Sequence, residues 1–169
     1  LQIEQLITKR ILDVVFSMVG LIVSSPFFVI IGLLIKCTDS GPIFYRQKRL
    51  TQGGKEFSIC KFRTMIQDAE KEKGARLAAE NDERILPVGK FLRRTRLDEL
   101  PQLWNILKGE MSVVGPRPER PELAKKIEEE IPEFSYRLKV KAGLTGYAQI
   151  YGKYNTTSYD KLKLDLKYI

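Results

Sequence analysis

The sequence predicts an α+β domain, mostly helical, with a small β-hairpin and an apolar helix–break–helix anchor at its N-terminus. Three observations carry this prediction. Residues 14–35 contain no charged side chain. Residues 43–62 hold two runs of strand formers on either side of Gly53-Gly54. Beyond residue 86, apolar residues recur at helical spacing, with prolines at or near the segment starts.

The uncharged run from Val14 to Ile35 covers about 33 Å as a straight helix, enough to cross a bilayer core. Few soluble domains of this size bury so uniform a surface, so the run is expected to insert in a lipid bilayer. Pro26, preceded by Ser24 and Ser25, falls in its middle. Proline offers no N–H and clashes with the carbonyl four residues back, here that of Ile22, so the helix is expected to kink or break at Ser25-Pro26. The serine hydroxyls can serve some of the backbone groups so released. Lys9 and Arg10 precede the run, while Lys36, Arg46, Lys48 and Arg49 follow it. Basic flanks mark the cytoplasmic side, and both ends carry them. This favours a re-entrant anchor over residues 1–36, entering and leaving on one face, with residues 37–169 on the cytoplasmic side of the same domain. An ordinary kinked span is the alternative.

After the anchor, residues 43–47 and 56–62 read as the strands of a hairpin turning at Gly53-Gly54. Residues 67–84 are strongly charged and read as a solvated helix or excursion. Pro87 opens a basic amphipathic helix in which Val88, Phe91, Leu92 and Thr95 share one face. Such a helix suits an anionic membrane surface or a phosphate site. A second helix is expected from about Glu99 to Lys108, ended by Gly109, and a third between Pro121 and Ile131, stopped by Pro132.

Composition narrows the chemistry. Lys and Arg number 29 against 21 Asp and Glu, a formal charge of +8 that calls for an anionic partner. There is no histidine, which removes His-based triads and phosphoryl transfer through imidazole. Cys37 and Cys60 have no metal-ligand spacing and read as free thiols. No nucleic-acid-binding pattern is present, and the apolar anchor argues against such a partner. The start at Leu1 reads as the catalytic end of a longer chain.

Asp98 and Glu99 fall at the expected start of the second helix, where unpaired amides and the helix dipole favour negative charge. Viewed alone, an Asp in that place is usually an N-cap. The surroundings change the weighting: Arg93, Arg94 and Arg96 precede the pair, and Lys61 and Arg63 lie upstream. Arg117 sits between Pro116 and Pro118, a rigid turn presenting one guanidinium suited to bidentate phosphate recognition. Adjacent carboxylates also suit Mg²⁺, the usual companion of a nucleotide diphosphate.

The motifs Gly41-Pro42-Ile43-Phe44-Tyr45-Arg46-Gln47, Lys61-Phe62-Arg63-Thr64-Met65, Leu97-Asp98-Glu99-Leu100-Pro101-Gln102-Leu103, Gly115-Pro116-Arg117-Pro118 and Gly143-Leu144-Thr145-Gly146-Tyr147-Ala148-Gln149 occur in this order behind the Ser-Pro of the anchor. In that order the sequence resembles the bacterial sugar transferases, monotopic polyprenyl-phosphate phosphoglycosyl transferases. The resemblance covers nearly the whole chain. It implies a re-entrant helix broken at Ser25-Pro26, in the bacterial inner membrane with the site on its cytoplasmic face. It further implies transfer of a sugar 1-phosphate from a UDP-sugar to polyprenyl (undecaprenyl) phosphate, initiating surface glycan, lipopolysaccharide or exopolysaccharide assembly. Asp98 would be the nucleophile, forming an aspartyl phosphosugar and releasing UMP, and Glu99 the Mg²⁺ ligand. Arg93 and Arg117 match family arginines near the phosphates, Lys61 and Arg63 match a more variable basic block, and Gln149 matches a motif near the nucleotide. The competing expectation is a non-catalytic module that binds anionic lipid through its basic face.

Overall fold

The uncharged run lies within one long helix, α1 (Ile3–Thr38), 36 residues in length. The computed structural model describes residues 3–67, 69, 82–152 and 156–169; most of the charged segment 67–84 lies outside these. The expected break at Ser25-Pro26 is not an interruption, because α1 continues with Pro26 inside it. Pro26 leaves the Ile22 carbonyl without its helical donor, and Ser25 Oγ donates to that carbonyl instead, at 2.8 Å. Ser24 Oγ donates to the Gly20 carbonyl at 2.6 Å. The serines supply the bonds as expected, and this is how the helix runs on through its proline.

One face of α1 is covered by the rest of the chain. Asp13, Ser17, Ser24, Ile31 and Ile35 are buried along it, spaced by fours and sevens as one helical stripe requires, with Gly32 buried beside Ile31. The opposite face leaves Val15, Val19, Ile22, Ile30 and Leu33 exposed. Both ends of the helix grip the same body. Near the start, Arg10 donates to the Ile106 and Leu107 carbonyls at 2.7 and 2.8 Å, capping a helix end that has orphan acceptors. Asp13 Oδ1 accepts from Ser112 Oγ at 2.9 Å and from the Val113 amide at 2.8 Å. Near the finish, Ile31 and Ile35 pack with Phe62 and Leu92.

The hairpin forms as expected. Strands β1 (Phe44–Leu50) and β2 (Glu56–Phe62) pair antiparallel, with Phe44 opposite Phe62 and Leu50 opposite Glu56. Gly53 and Gly54 both sit at φ 71° in the connecting 3-10 turn, a conformation glycine adopts at least cost. Helix α2 (Pro87–Thr95) buries Gly89 and Leu92. A Cβ on Gly89 would lie 2.2 Å from the Thr64 carbonyl, so glycine is what lets α2 press against the segment after β2. That choice of face turns Phe91 outward, half exposed, where a shared face with Leu92 was expected.

A 3-10 turn (Leu97–Glu99) leads into α3 (Gln102–Lys108), which ends on Gly109 at φ 86°. Helix α4 (Pro121–Glu130) is followed by a 3-10 stretch, Pro132–Lys139. Two short strands, β3 (Ser112–Val114) and β4 (Gly143–Thr145), pair in parallel. Their few residues gave no periodic signal in the sequence. Helices α5 (Tyr147–Tyr151) and α6 (Ser158–Leu166) complete the chain. The main core joins Phe57, Ile59, Leu103, Ile106, Met111 and Ala142, drawn from β2, α3 and the two β3/β4 edges.

Asp13→Ala would strand the buried Val113 amide and Ser112 hydroxyl. It is expected to cost about 1–3 kcal/mol, measured as a lowered melting temperature in detergent; an unchanged value would contradict the tether.

Candidate active site

The acidic pair is set by a strained residue. Arg96 closes α2 at φ 60°, ψ 13°, and it is the single non-glycine residue at positive φ among the described residues. A side chain in that region costs roughly 1–2 kcal/mol. The reversal lets the chain re-enter helical geometry at once, placing Asp98 and Glu99 in the 3-10 turn ahead of α3. Both are buried, each 8% exposed.

Glu99 is saturated with positive charge. Lys61 Nζ from β2 lies 2.8 Å from Glu99 Oε1, and Arg117 Nη2 lies 2.9 Å from the same oxygen. The more exposed Arg96 stands 3.8 Å away. Burial acts to raise the Glu99 carboxyl, but Arg117 and Lys61 outweigh it and bring it down to about 2. Burial in turn lowers Lys61, against the pull of Glu99.

Asp98 is treated differently. Burial raises its pKa, opposed by the charges of Lys61 and Arg93. Its Oδ1 is shut from solvent and accepts no hydrogen bond. Two neighbouring carboxylates therefore occupy distinct environments, Glu99 with Oε1 bound by two cations and Asp98 with Oδ1 buried and unpartnered.

The surrounding cations are held from behind. Arg93 Nε donates to Thr64 Oγ1 at 2.8 Å, fixing a guanidinium within charge reach of Asp98. The Gly115-Pro116-Arg117-Pro118 loop is pinned at each step: the Gly115 amide donates to the Thr145 carbonyl at 2.8 Å, and the Gly143 amide to the Pro116 carbonyl at 2.8 Å. Arg137 Nη2 donates to the Arg117 carbonyl at 2.9 Å, and Arg49 Nη1 to the Pro118 carbonyl at 3.1 Å. Gly115 and Gly143 approach so closely that a Cβ on Gly143 would fall 2.1 Å from the Gly115 nitrogen.

With this geometry, comparison with known proteins becomes decisive. The bacterial sugar transferase family matches residues 4–169. The chain belongs to the bacterial sugar transferase family. It is 48% identical over 130 residues to a Bacillus subtilis (strain 168) protein provisionally named an undecaprenyl-phosphate N-acetylgalactosaminyl 1-phosphate transferase, covering 77% of this chain and 72% of that one. It is 41% identical over 166 residues to the UDP-glucose:undecaprenyl-phosphate glucose-1-phosphate transferase of Escherichia coli (strain K12), covering 95% of this chain but 36% of that one. To the UDP-N-acetylgalactosamine-undecaprenyl-phosphate N-acetylgalactosaminephosphotransferase of Aeromonas hydrophila it is 38% identical over 164 residues, covering 95% and 38%. The chain thus spans little more than a third of the latter two relatives.

Among the family-motif residues singled out from sequence, Lys61, Arg93 and Arg117 converge on Asp98 and Glu99. Gln149 stands apart on α5, its amide nitrogen and oxygen both buried without a partner, beside Gly146 where that glycine crosses Gly115. Arg63 does not join the group. Its fork is spent on the end of α1, reaching Asp39 Oδ2 at 2.5 Å, the Asp39 carbonyl at 3.0 Å and the Pro42 carbonyl at 2.5 Å. Only 5% exposed, it ties the end of α1 to the hairpin.

Sequence reasoning missed Arg137, Thr64 and Gln102. Arg137 is buried against Asp165, Nε to Oδ2 at 2.7 Å; burial raises the Asp165 carboxyl and Arg137 opposes it. In the sequence it is one basic residue among many, and its spacing from Phe134 within an otherwise apolar pattern was the available sign. Asp165→Ala would leave the buried Arg137 guanidinium only its longer pair with Glu119, at 3.9 Å, an expected loss of about 2–4 kcal/mol, and would loosen Arg117 through its carbonyl. Chemical denaturation checks the first effect; stability within about 1 kcal/mol of wild type would refute it.

Proposed function

We propose that this chain is the catalytic part of an undecaprenyl-phosphate sugar-1-phosphate transferase, acting on a UDP-sugar through a covalent intermediate on Asp98. The observation that carries the reading is the asymmetry of the acidic pair: Glu99 Oε1 is bound by two cations, while among the described residues no ion pair ties up Asp98. A carboxylate whose pKa is raised by burial is the more basic nucleophile, and Lys61 and Arg93 keep charge balanced around it. Membership of the family and the names of these relatives support the transferase part of the reading.

In the first step Asp98 forms a bond to the sugar-bearing phosphorus of the donor, and the bond to the uridylyl oxygen breaks, releasing UMP. In the second, an oxygen of the lipid phosphate bonds to that phosphorus, and the Asp98 oxygen leaves with its electron pair. Arg93 and Arg117 offset phosphate charge in both steps, in a setting where fixed cations act without reorganisation. Gln149, with both amide atoms unpaired, is placed toward the nucleotide in this reading.

Mg²⁺ fits the residues present. No group of three or more His, Cys, Asp or Glu side chains suited to a metal occurs among the described residues, and Mg²⁺ typically takes one or two carboxylates with phosphate and water completing its shell. Glu99, held ionised by its neighbours, would hold it, and the ion would supply further neutralisation of the diphosphate.

The anchor is proposed as re-entrant, with α1 embedded from one face of a bacterial cytoplasmic membrane. Support comes from the single body that binds both of its ends, Arg10 and Asp13 at one and Ile31 and Ile35 at the other. A spanning helix would have to set those ends across about 30 Å of hydrocarbon. The outer apolar face of α1 then meets acyl chains, and the site sits at head-group level.

Two measurements test this. In UMP-release assays with undecaprenyl phosphate, Mg²⁺ and a panel of UDP-sugars, Asp98→Asn is expected to lose at least about 10³-fold in turnover. Near-wild-type release would end the covalent reading, and salt-sensitive liposome binding without any UMP release would favour the lipid-binding module. For topology, Glu4→Cys and Ser40→Cys in a background lacking Cys37 and Cys60 should label from the same side of sealed vesicles. Labelling from opposite sides would establish a span.

A further inference from the structure

Gln102 is a buried polar residue that the proposed chemistry does not use. It is 2% exposed, yet its Nε2 has no hydrogen-bond partner. A buried amide donor left unpaired costs about 1–3 kcal/mol, so such a group calls for a reason. One turn earlier on the same helical run lies the complementary vacancy, the buried Oδ1 of Asp98. The chain between them stays helical, with Leu100 and Pro101 both in the right-handed region, and residues three and four apart on such a run are neighbours. One orphan is a donor and the other an acceptor.

We infer that Gln102 is the positioning residue of Asp98: its Nε2–H closes on Oδ1 during the reaction and fixes the carboxylate with Oδ2 toward the substrate. The inference rests on the covalent reading above. With Oδ1 shut from solvent, Oδ2 is the oxygen left to form the bond to phosphorus, and Oδ1 becomes the carbonyl oxygen of the acyl phosphate. When the lipid phosphate displaces Asp98, the electron pair of the breaking P–O bond returns to the carboxylate. A neutral donor at Oδ1 stabilises that charge without adding a cation that would hold Asp98 permanently paired, as Glu99 is held. The remaining cations of the site are engaged elsewhere: Lys61 and Arg117 with Glu99, Arg93 with Thr64.

Gln102→Met keeps the volume and removes the donor; Gln102→His restores an N–H at similar reach. Melting temperature, steady-state kinetics and a single-turnover burst of UMP are measured for both, with Asp98→Asn as control. Because an unpaired polar group is removed, Gln102→Met should melt no lower than wild type. Its kcat should fall about 10²-fold with KM for the UDP-sugar nearly unchanged, as expected for a misplaced nucleophile, and Gln102→His should recover part of that loss. Equal rates in the Met and His variants, wild-type kcat in Gln102→Met, or a loss of rate that follows melting temperature across the series would overturn the role. An active Asp98→Asn control would instead remove the covalent reading beneath it.

Discussion

Glu99 Oε1 is the point where three parts of the chain meet. Lys61 comes to it from β2, Arg117 from the loop after β3, and the carboxylate itself from the turn ahead of α3. A carboxylate this buried would be costly alone, since desolvation of an ion amounts to several kcal/mol. Two cations within 3 Å reverse the balance, to the extent that the group stays ionised down to about pH 2. The same contacts fix the hairpin against the Arg117 loop, so the site's electrostatics and its architecture are one arrangement. Asp98, one residue earlier, is left out of this pairing.

The anchor belongs to this arrangement and is not an appendage. Lys9 donates to the Val114 carbonyl at 3.0 Å and Asp13 holds the Val113 amide. The loop bearing Arg117 begins immediately after. At the other end of α1, Arg63 locks Asp39 to the segment after β2, two residues beyond Lys61. Both cations on Glu99 are thus attached through short stretches of backbone to the two ends of the apolar helix. For a reaction joining a soluble donor to a lipid acceptor, this places the acidic pair at a set position relative to whatever surface covers the outer face of α1.

Much of this was legible in the sequence, and the reasons are local. The hairpin followed from Gly53-Gly54 and its flanking strand formers, α2 and α4 from prolines at their first turns, and the α3 end from Gly109. The Asp98 and Glu99 environment was legible because the arginines lie close by in sequence. The β3/β4 pairing was not, because strands of three residues carry no period and their partner lies far along the chain. Arg63's place beside Asp39 was not legible because residue type does not tell which way a strand-end side chain turns. Arg137 and Gln102 were missed because burial of a polar side chain is a tertiary property. At Pro26 the helix continues without interruption because Ser25 serves the carbonyl that lost its donor.

We propose that Asp98 becomes covalently loaded while Glu99 holds the surrounding charge. Intact-mass analysis of the protein after exposure to Mg²⁺ and an active UDP-sugar, with no lipid acceptor present, tests it most directly. The account predicts a mass increase equal to one sugar phosphate, located on Asp98, matched by one equivalent of UMP and discharged on adding undecaprenyl phosphate. Turnover in the presence of lipid without any such adduct, and without a UMP burst in its absence, would contradict it.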